Sequence, residues 1–129
     1  MSAEGKVEGF LINLGITFEQ IDEGSWVIQD EDKGLEQVAV LSADPLVVLR
    51  VNVMAVPEKK REEFFRKLLE LNAAELVHGA YAVEDEEVLL VDTLEAETLD
   101  IEEFQASLDA IGLALAQHFP VLSEYMNKE

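Results

Sequence analysis

Two short links, Asp22-Glu23-Gly24-Ser25 and Glu84-Asp85-Glu86-Glu87, restrict most strongly what this chain can fold into. Each separates two runs rich in branched and aromatic residues: residues 16–21 and 26–29 around the first, 80–83 and 88–94 around the second. A parallel neighbour requires a crossover of about a dozen residues or more, so both pairs must be antiparallel hairpins. Residues 36–41 read as a further strand. Asp44-Pro45 marks a turn, and residues 46–56 form the clearest strand. It places Val47, Leu49, Val51, Val53 and Ala55 on one face and Arg50 and Asn52 on the other. One face of the sheet should therefore be drier than the other.

Three helices frame these strands. Val7, Phe10, Leu11 and Leu14 repeat at helical spacing and stop at Gly15, which suits the left-handed residue that ends a helix. Pro57 opens a second helix reaching about Leu76, since proline is tolerated at a helix start and Phe64, Phe65, Leu68, Leu69 and Leu71 follow at helical spacing. Asp100, with Glu103 three residues on, forms a capping box for the last helix, and Leu99 and Phe104 are placed as its hydrophobic staple. Pro120 should kink or end it. The order α-βββ(β)-α-ββ-α predicts an α+β fold: an antiparallel five- or six-stranded sheet with three helices packed on one face. Residues 1–129 read as a single domain without linker, repeat or low-complexity tract.

Composition narrows the functional classes. The 28 acidic and 9 basic residues give a net charge of −19 on a chain that is 49% hydrophobic. Phosphate backbones are bound by Lys and Arg displacing counterions, so a nucleic-acid partner is not expected, nor is an anionic membrane surface. The absence of cysteine removes thiol nucleophiles, Cys-based zinc sites and disulfides, and fits a cytoplasmic location. The segment Met1-Ser2-Ala3-Glu4-Gly5-Lys6 lacks the order of a signal peptide. The longest uncharged stretch towards the C-terminus, residues 110–123, has 14 residues, short of the roughly 20 needed to span a bilayer.

Catalytic patterns are sparse. Ser25, Ser42, Ser107 and Ser123 lie in no Gly-x-Ser-x-Gly elbow, and the seven glycines form no phosphate-binding loop. His78 and His118 lie far apart in sequence without a second ligand at helical spacing, so both are read as structural. Asp30-Glu31-Asp32-Lys33-Gly34 misplaces the glycine of a calcium loop, and Leu41 stands where its bidentate Glu belongs. The acidic link at residues 84–87 reads as a solvated turn rather than a cation site. No cofactor or metal is expected and no catalytic residue is assigned. A dyad of converging carboxylates, giving a small-molecule-binding or enzymatic domain, remains the alternative, because such a dyad depends on spatial separation.

The middle helix is the more informative element. Lys59, Lys60, Arg61, Arg66 and Lys67 are five of the nine basic residues, and Glu62–Arg66 and Glu63–Lys67 stand at favourable i, i+4 spacing. Its apolar residues, projected at helical periodicity, cover an arc of about 160°, against the roughly 100° that packing on one sheet requires. Excess apolar surface of this kind marks partner sites, and the two-fold dimer is the commonest closed assembly. Phe64, Phe65, Leu68, Leu69 and Leu71 are thus the candidate dimer or partner interface.

Several local phrases resemble the YbjN-like family and the type III secretion chaperones of the Tir-chaperone kind. They are the helix ending in Leu14-Gly15, the extended stretch through Trp26, and the long strand over residues 46–56. The helix carrying Phe64 to Leu71-Asn72, the phrase His78-Gly79-Ala80-Tyr81, the strand over residues 88–92 and the final helix from Asp100 complete the set. The resemblance implies a non-enzymatic α+β protein, usually a homodimer, chaperone-like or regulatory. In the chaperone branch it also implies a second protein laid along the surface as an extended segment.

Overall fold

The computed structural model describes residues 3–76 and 78–126. Its elements run α1 (Ala3–Asn13), β1 (Phe18–Asp22), β2 (Ser25–Asp30), β3 (Leu35–Ala43), β4 (Leu46–Ala55), α2 (Arg61–Ala74), β5 (Ala80–Glu84), β6 (Glu87–Glu95) and α3 (Ile101–Leu122). Short 3-10 turns occupy Glu31–Lys33 and Ser123–Tyr125. The six strands form one antiparallel sheet in the order β1-β2-β3-β4-β6-β5, so the α+β expectation holds with the larger strand number.

The pleat sorts side chains between two faces. Ile28, Val38, Val51, Leu90 and Tyr81 align across five strands, and Trp26, Val40, Leu49 and Asp92 form the adjoining row. All nine are buried, under Val7 and Leu11 of α1 and Phe104, Leu108 and Ile111 of α3. Each such aliphatic or aromatic side chain contributes about 1.5–3 kcal/mol by leaving water. The Phe10 and Phe104 rings, 5.6 Å apart, join α1 to α3 over the sheet. The opposite face carries Val27, Ala39, Leu41, Val48 and Val91, all half-buried, and Arg50, which reaches Glu84 at 3.0 Å.

Local signals set the helix ends. Gly15 takes φ 67, the Gly15 N–H donates to the Ile12 carbonyl and the Ile16 N–H to the Leu11 carbonyl. That pair of bonds, with Ile16 and Leu11 both buried, closes α1 as a Schellman turn. It also takes Ile16 out of the first strand, which starts at Phe18 rather than at residue 16. At α3, Asp100 Oδ1 accepts the Glu103 N–H at 2.8 Å, and Leu99 and Phe104 are buried, as the capping box and staple require.

Two helix expectations need correction. Residues 57–60 are not helical: Lys60 stands in the left-handed region at φ 58 immediately before α2, so that helix starts at Arg61 and not at Pro57. Pro120 does not end α3, which continues to Leu122; the missing N–H falls in the last turn, where few intrahelical bonds follow. The face assignment of β4 is also revised. Val53 is displaced by a bulge, since the register to β6 shifts between Asn52 and Met54, and Ala55 is exposed.

Candidate partner-binding surface

The wide apolar arc of α2 is divided by its packing. Phe64, Leu68 and Leu71 turn into the protomer and are buried, Phe64 against the Tyr125 ring at 5.2 Å. Phe65 is half-buried and Leu69 is 67% exposed. The five residues read as an interface from sequence therefore fall into three that complete this subunit's core and two that face outward.

Opposite these two stands the outer strand β5. Its Tyr81 N–H donates to Asn72 Oδ1 at 2.7 Å, and the Tyr81 carbonyl accepts from Asn72 Nδ2 at 3.2 Å. One amide side chain of α2 thus imitates a neighbouring strand and locks the helix against the sheet edge. Residues two apart on a strand point their main-chain groups the same way, so the N–H and C=O of Val83 also face away from β6. Between α2 and β5 lies a groove of about 370 Å³ lined by Phe65, Leu68, Leu69, Asn72, Tyr81, Ala82 and Val83. Val83 is 47% exposed. Sequence reasoning missed Asn72 and Val83; the available signal was an apolar strand next to a helix whose apolar arc was too wide.

The floor of this groove is anchored from beneath. The Tyr81 hydroxyl lies 2.6 Å from His118 Nδ1, both side chains being buried, and burial pushes the phenol pKa up to about 12. His118 thus has a structural partner on β5. His78 lies half-buried in the loop before β5.

Charge is balanced on the α2 side of the groove, whereas the β5 side runs into the acidic link at residues 84–87. Arg66 and Lys67 both reach Glu70, at 3.4 and 3.8 Å, in place of the expected pairs with Glu62 and Glu63. Arg61 bonds Glu86, and Glu63 accepts the Tyr125 hydroxyl at 2.8 Å. Residues 58–75 contain five basic and five acidic residues, a net charge of zero, which leaves the entire −19 on the remainder of the chain.

The carboxylate alternative gains no support from geometry. Two further grooves contain one carboxylate each, Glu36 and Asp109, and no group of three or more metal-ligating acids or histidines occurs among the described residues. Asp30, buried at the end of β2, accepts the Thr17 N–H at 3.0 Å and so ties down the α1–β1 connection. Trp26 Nε1, Asp92 Oδ2, Ser107 Oγ and His118 Nε2 are buried without a protein hydrogen-bond partner. No described helix is long and apolar enough to cross a membrane.

Against this geometry, the CesT_Tir_1 family model matches residues 2–128. The chain belongs to that family. Solved structures with the same fold include YbjN from E. coli, at 13% identity and TM-score 0.67 over 92% of each chain. The Yersinia pestis type III secretion chaperone SycH, in complex with a stable fragment of YscM2, is similar at 14% identity and TM-score 0.65, over 90% of this chain and 98% of that one. SpcU in its heterodimeric complex with ExoU, from the type III secretion system of Pseudomonas aeruginosa, gives 14% identity and TM-score 0.63, over 88% and 95%. A search of curated proteins returned no significant match to this sequence.

Proposed function

We propose that the protein is a non-enzymatic, chaperone-like protein-binding module that works as a homodimer in the cytoplasm. The observation that carries the dimer is the apolar strip Phe65, Leu69 and Val83 along the α2–β5 groove, with Leu69 and Val83 exposed and the charges of the α2 side balanced. The YscM2 and ExoU complexes of the similar folds support protein binding as the role, and the absence of cysteine suits a reducing compartment.

Sedimentation equilibrium at about 10 µM protomer tests the dimer, with an expected mass twice the chain's 14.4 kDa. Leu69→Asp leaves the protomer core untouched, because Leu69 is exposed. Losing one leucine contact costs about 2 kcal/mol, and two-fold symmetry counts it twice, so affinity should fall by nearly a thousandfold. A wild-type chain that sediments as a monomer, or a variant that dimerises equally well, refutes the assignment.

A further inference from the structure

The link from β2 to β3, Glu31-Asp32-Lys33-Gly34, takes no part in the α2–β5 groove, although its dense charge sets it apart in the sequence. Three elements meet around it. The first is the end of α1, where the Gly15 turn fixes Leu14 and the buried Ile16. The second is the link itself. Gly34 stands at φ 70 and its N–H donates to the Glu31 carbonyl at 3.0 Å, while Asp30 accepts the Thr17 N–H and so ties the link to the α1–β1 connection. The third is α3, which Gly112 brings close: a Cβ there would lie 3.1 Å from the Lys33 carbonyl oxygen and 3.6 Å from that of Gly34.

Between these three walls lies a cavity of about 140 Å³. Ile16, Leu35 and Leu108 give it a buried apolar lining, with the half-buried Leu14 beside them. Lys33 on the link and Asp109 on α3 also line it, and both are exposed. Among the described residues, neither of these two forms an ion pair. At about 30 Å³ per water molecule the cavity has room for about five waters, which limits a ligand to few heavy atoms. One cation and one anion bordering a small apolar surface suit a molecule that carries both charges. A lone carboxylate is opposed by Asp109 and a lone amine by Lys33.

We propose that this cavity binds a free α-amino acid with a short aliphatic side chain. The Lys33 ammonium donates to the ligand carboxylate and the Asp109 carboxylate accepts from the ligand ammonium. The aliphatic side chain rests on Leu35 and Leu108, and Gln105 adds a neutral hydrogen-bonding group to the lining. Each wall is held by the protein's own bonds, so little ordering is lost when the ligand enters. Binding, not chemistry, is assigned to the site. It shares no residue with the α2–β5 groove, so it does not depend on the dimer or on a protein partner.

The test is a titration of the full chain, isotopically labelled for NMR, with L-valine at neutral pH. Amide shifts should centre on residues 14–16, 33–35 and 105–109 and give a Kd of about 1 mM or tighter, which a ligand of this size can reach. Isovalerate lacks the ammonium and isobutylamine the carboxylate, and each should bind at least about fivefold more weakly. Lys33→Gln and Asp109→Asn change exposed side chains and leave the core intact, and each should weaken L-valine by about the same factor. Three results overturn the proposal: no shifts at these residues up to about 10 mM L-valine, equal binding of isovalerate or isobutylamine, or wild-type affinity in both variants. Any of them leaves the protein-binding reading standing, which Leu69→Asp sedimentation tests separately.

Discussion

Removing one hydroxyl group, by Tyr81→Phe, should make the protein less sensitive to alkali. In the folded chain the Tyr81 phenol is buried against His118 and its pKa is pushed up to about 12, against 10.0 for an exposed tyrosine. Between these values the unfolded chain has released the proton and the folded chain has not. Fewer protons bound in the unfolded state means that stability falls as pH rises. The contribution is fully present below about pH 10 and is lost towards pH 12. At pH 11 the difference between the two states amounts to about 1.4 kcal/mol. Urea unfolding of wild type and Tyr81→Phe at pH 8 and pH 11, at fixed ionic strength and protomer concentration, isolates this contribution as a double difference. Lysine titration and the exposed Tyr125 phenol, raised by its hydrogen bond to Glu63, are common to both proteins and cancel. The Tyr81→Phe protein should be weaker at pH 8, because His118 loses its partner, by about 1 kcal/mol. Between pH 8 and 11 it should then lose about 1.4 kcal/mol less than wild type, near 0.7 M in urea midpoint for a slope of about 2 kcal/mol/M. Parallel declines would refute the buried phenol on which the groove floor depends.

Two further substitutions test the frame around the sites. Asp100→Ala removes the acceptor of the Glu103 N–H and should cost about 1 kcal/mol, while Asp100→Ser restores most of it; thermal melts read this as a drop of about 4 °C and its recovery. Gly79→Ala should cost about 2 kcal/mol by the same assay, because φ is +82 there and the new Cβ would lie 2.9 Å from the Val91 carbonyl oxygen. A neutral Gly79→Ala melt would contradict the close approach of the α2–β5 connection to β6.

Legibility in the sequence followed the range of the contacts involved. The two hairpins, the Gly15 turn and the Asp100 cap depend on residues within a few positions of one another, and each was readable from residue type and spacing. The width of the α2 arc was readable too, but its division was not. Phe64, Leu68 and Leu71 are covered by parts of the chain as distant as Tyr125, whereas Leu69 is left outside. The Tyr81–His118 contact spans 37 positions and carries no local signature. The bulges in β3 and β4 were least legible, because Gln37 takes a left-handed backbone without being glycine and Val53 looks like one more alternating strand residue. A bulge changes pairing without changing hydrophobic pattern, so the register alone reveals it.

The distribution of charge bears on how the α2–β5 groove can meet a second copy. At physiological ionic strength, charges are screened beyond about 8 Å, so the groove responds mainly to its own neighbourhood. Its α2 side is balanced, with Arg66 and Lys67 held by Glu70, but its β5 side runs into the acidic link at residues 84–87, where Glu84 meets Arg50 and Glu86 meets Arg61. Two copies packed across this groove bring the remaining acids, Asp85 and Glu87, towards one another, and like-charge contact opposes association. Raising salt should therefore strengthen the dimer, read by sedimentation equilibrium as a larger dimer fraction at fixed protomer concentration. A dimer that ignores salt would place the acidic links outside the contact and move the two-fold axis away from β5.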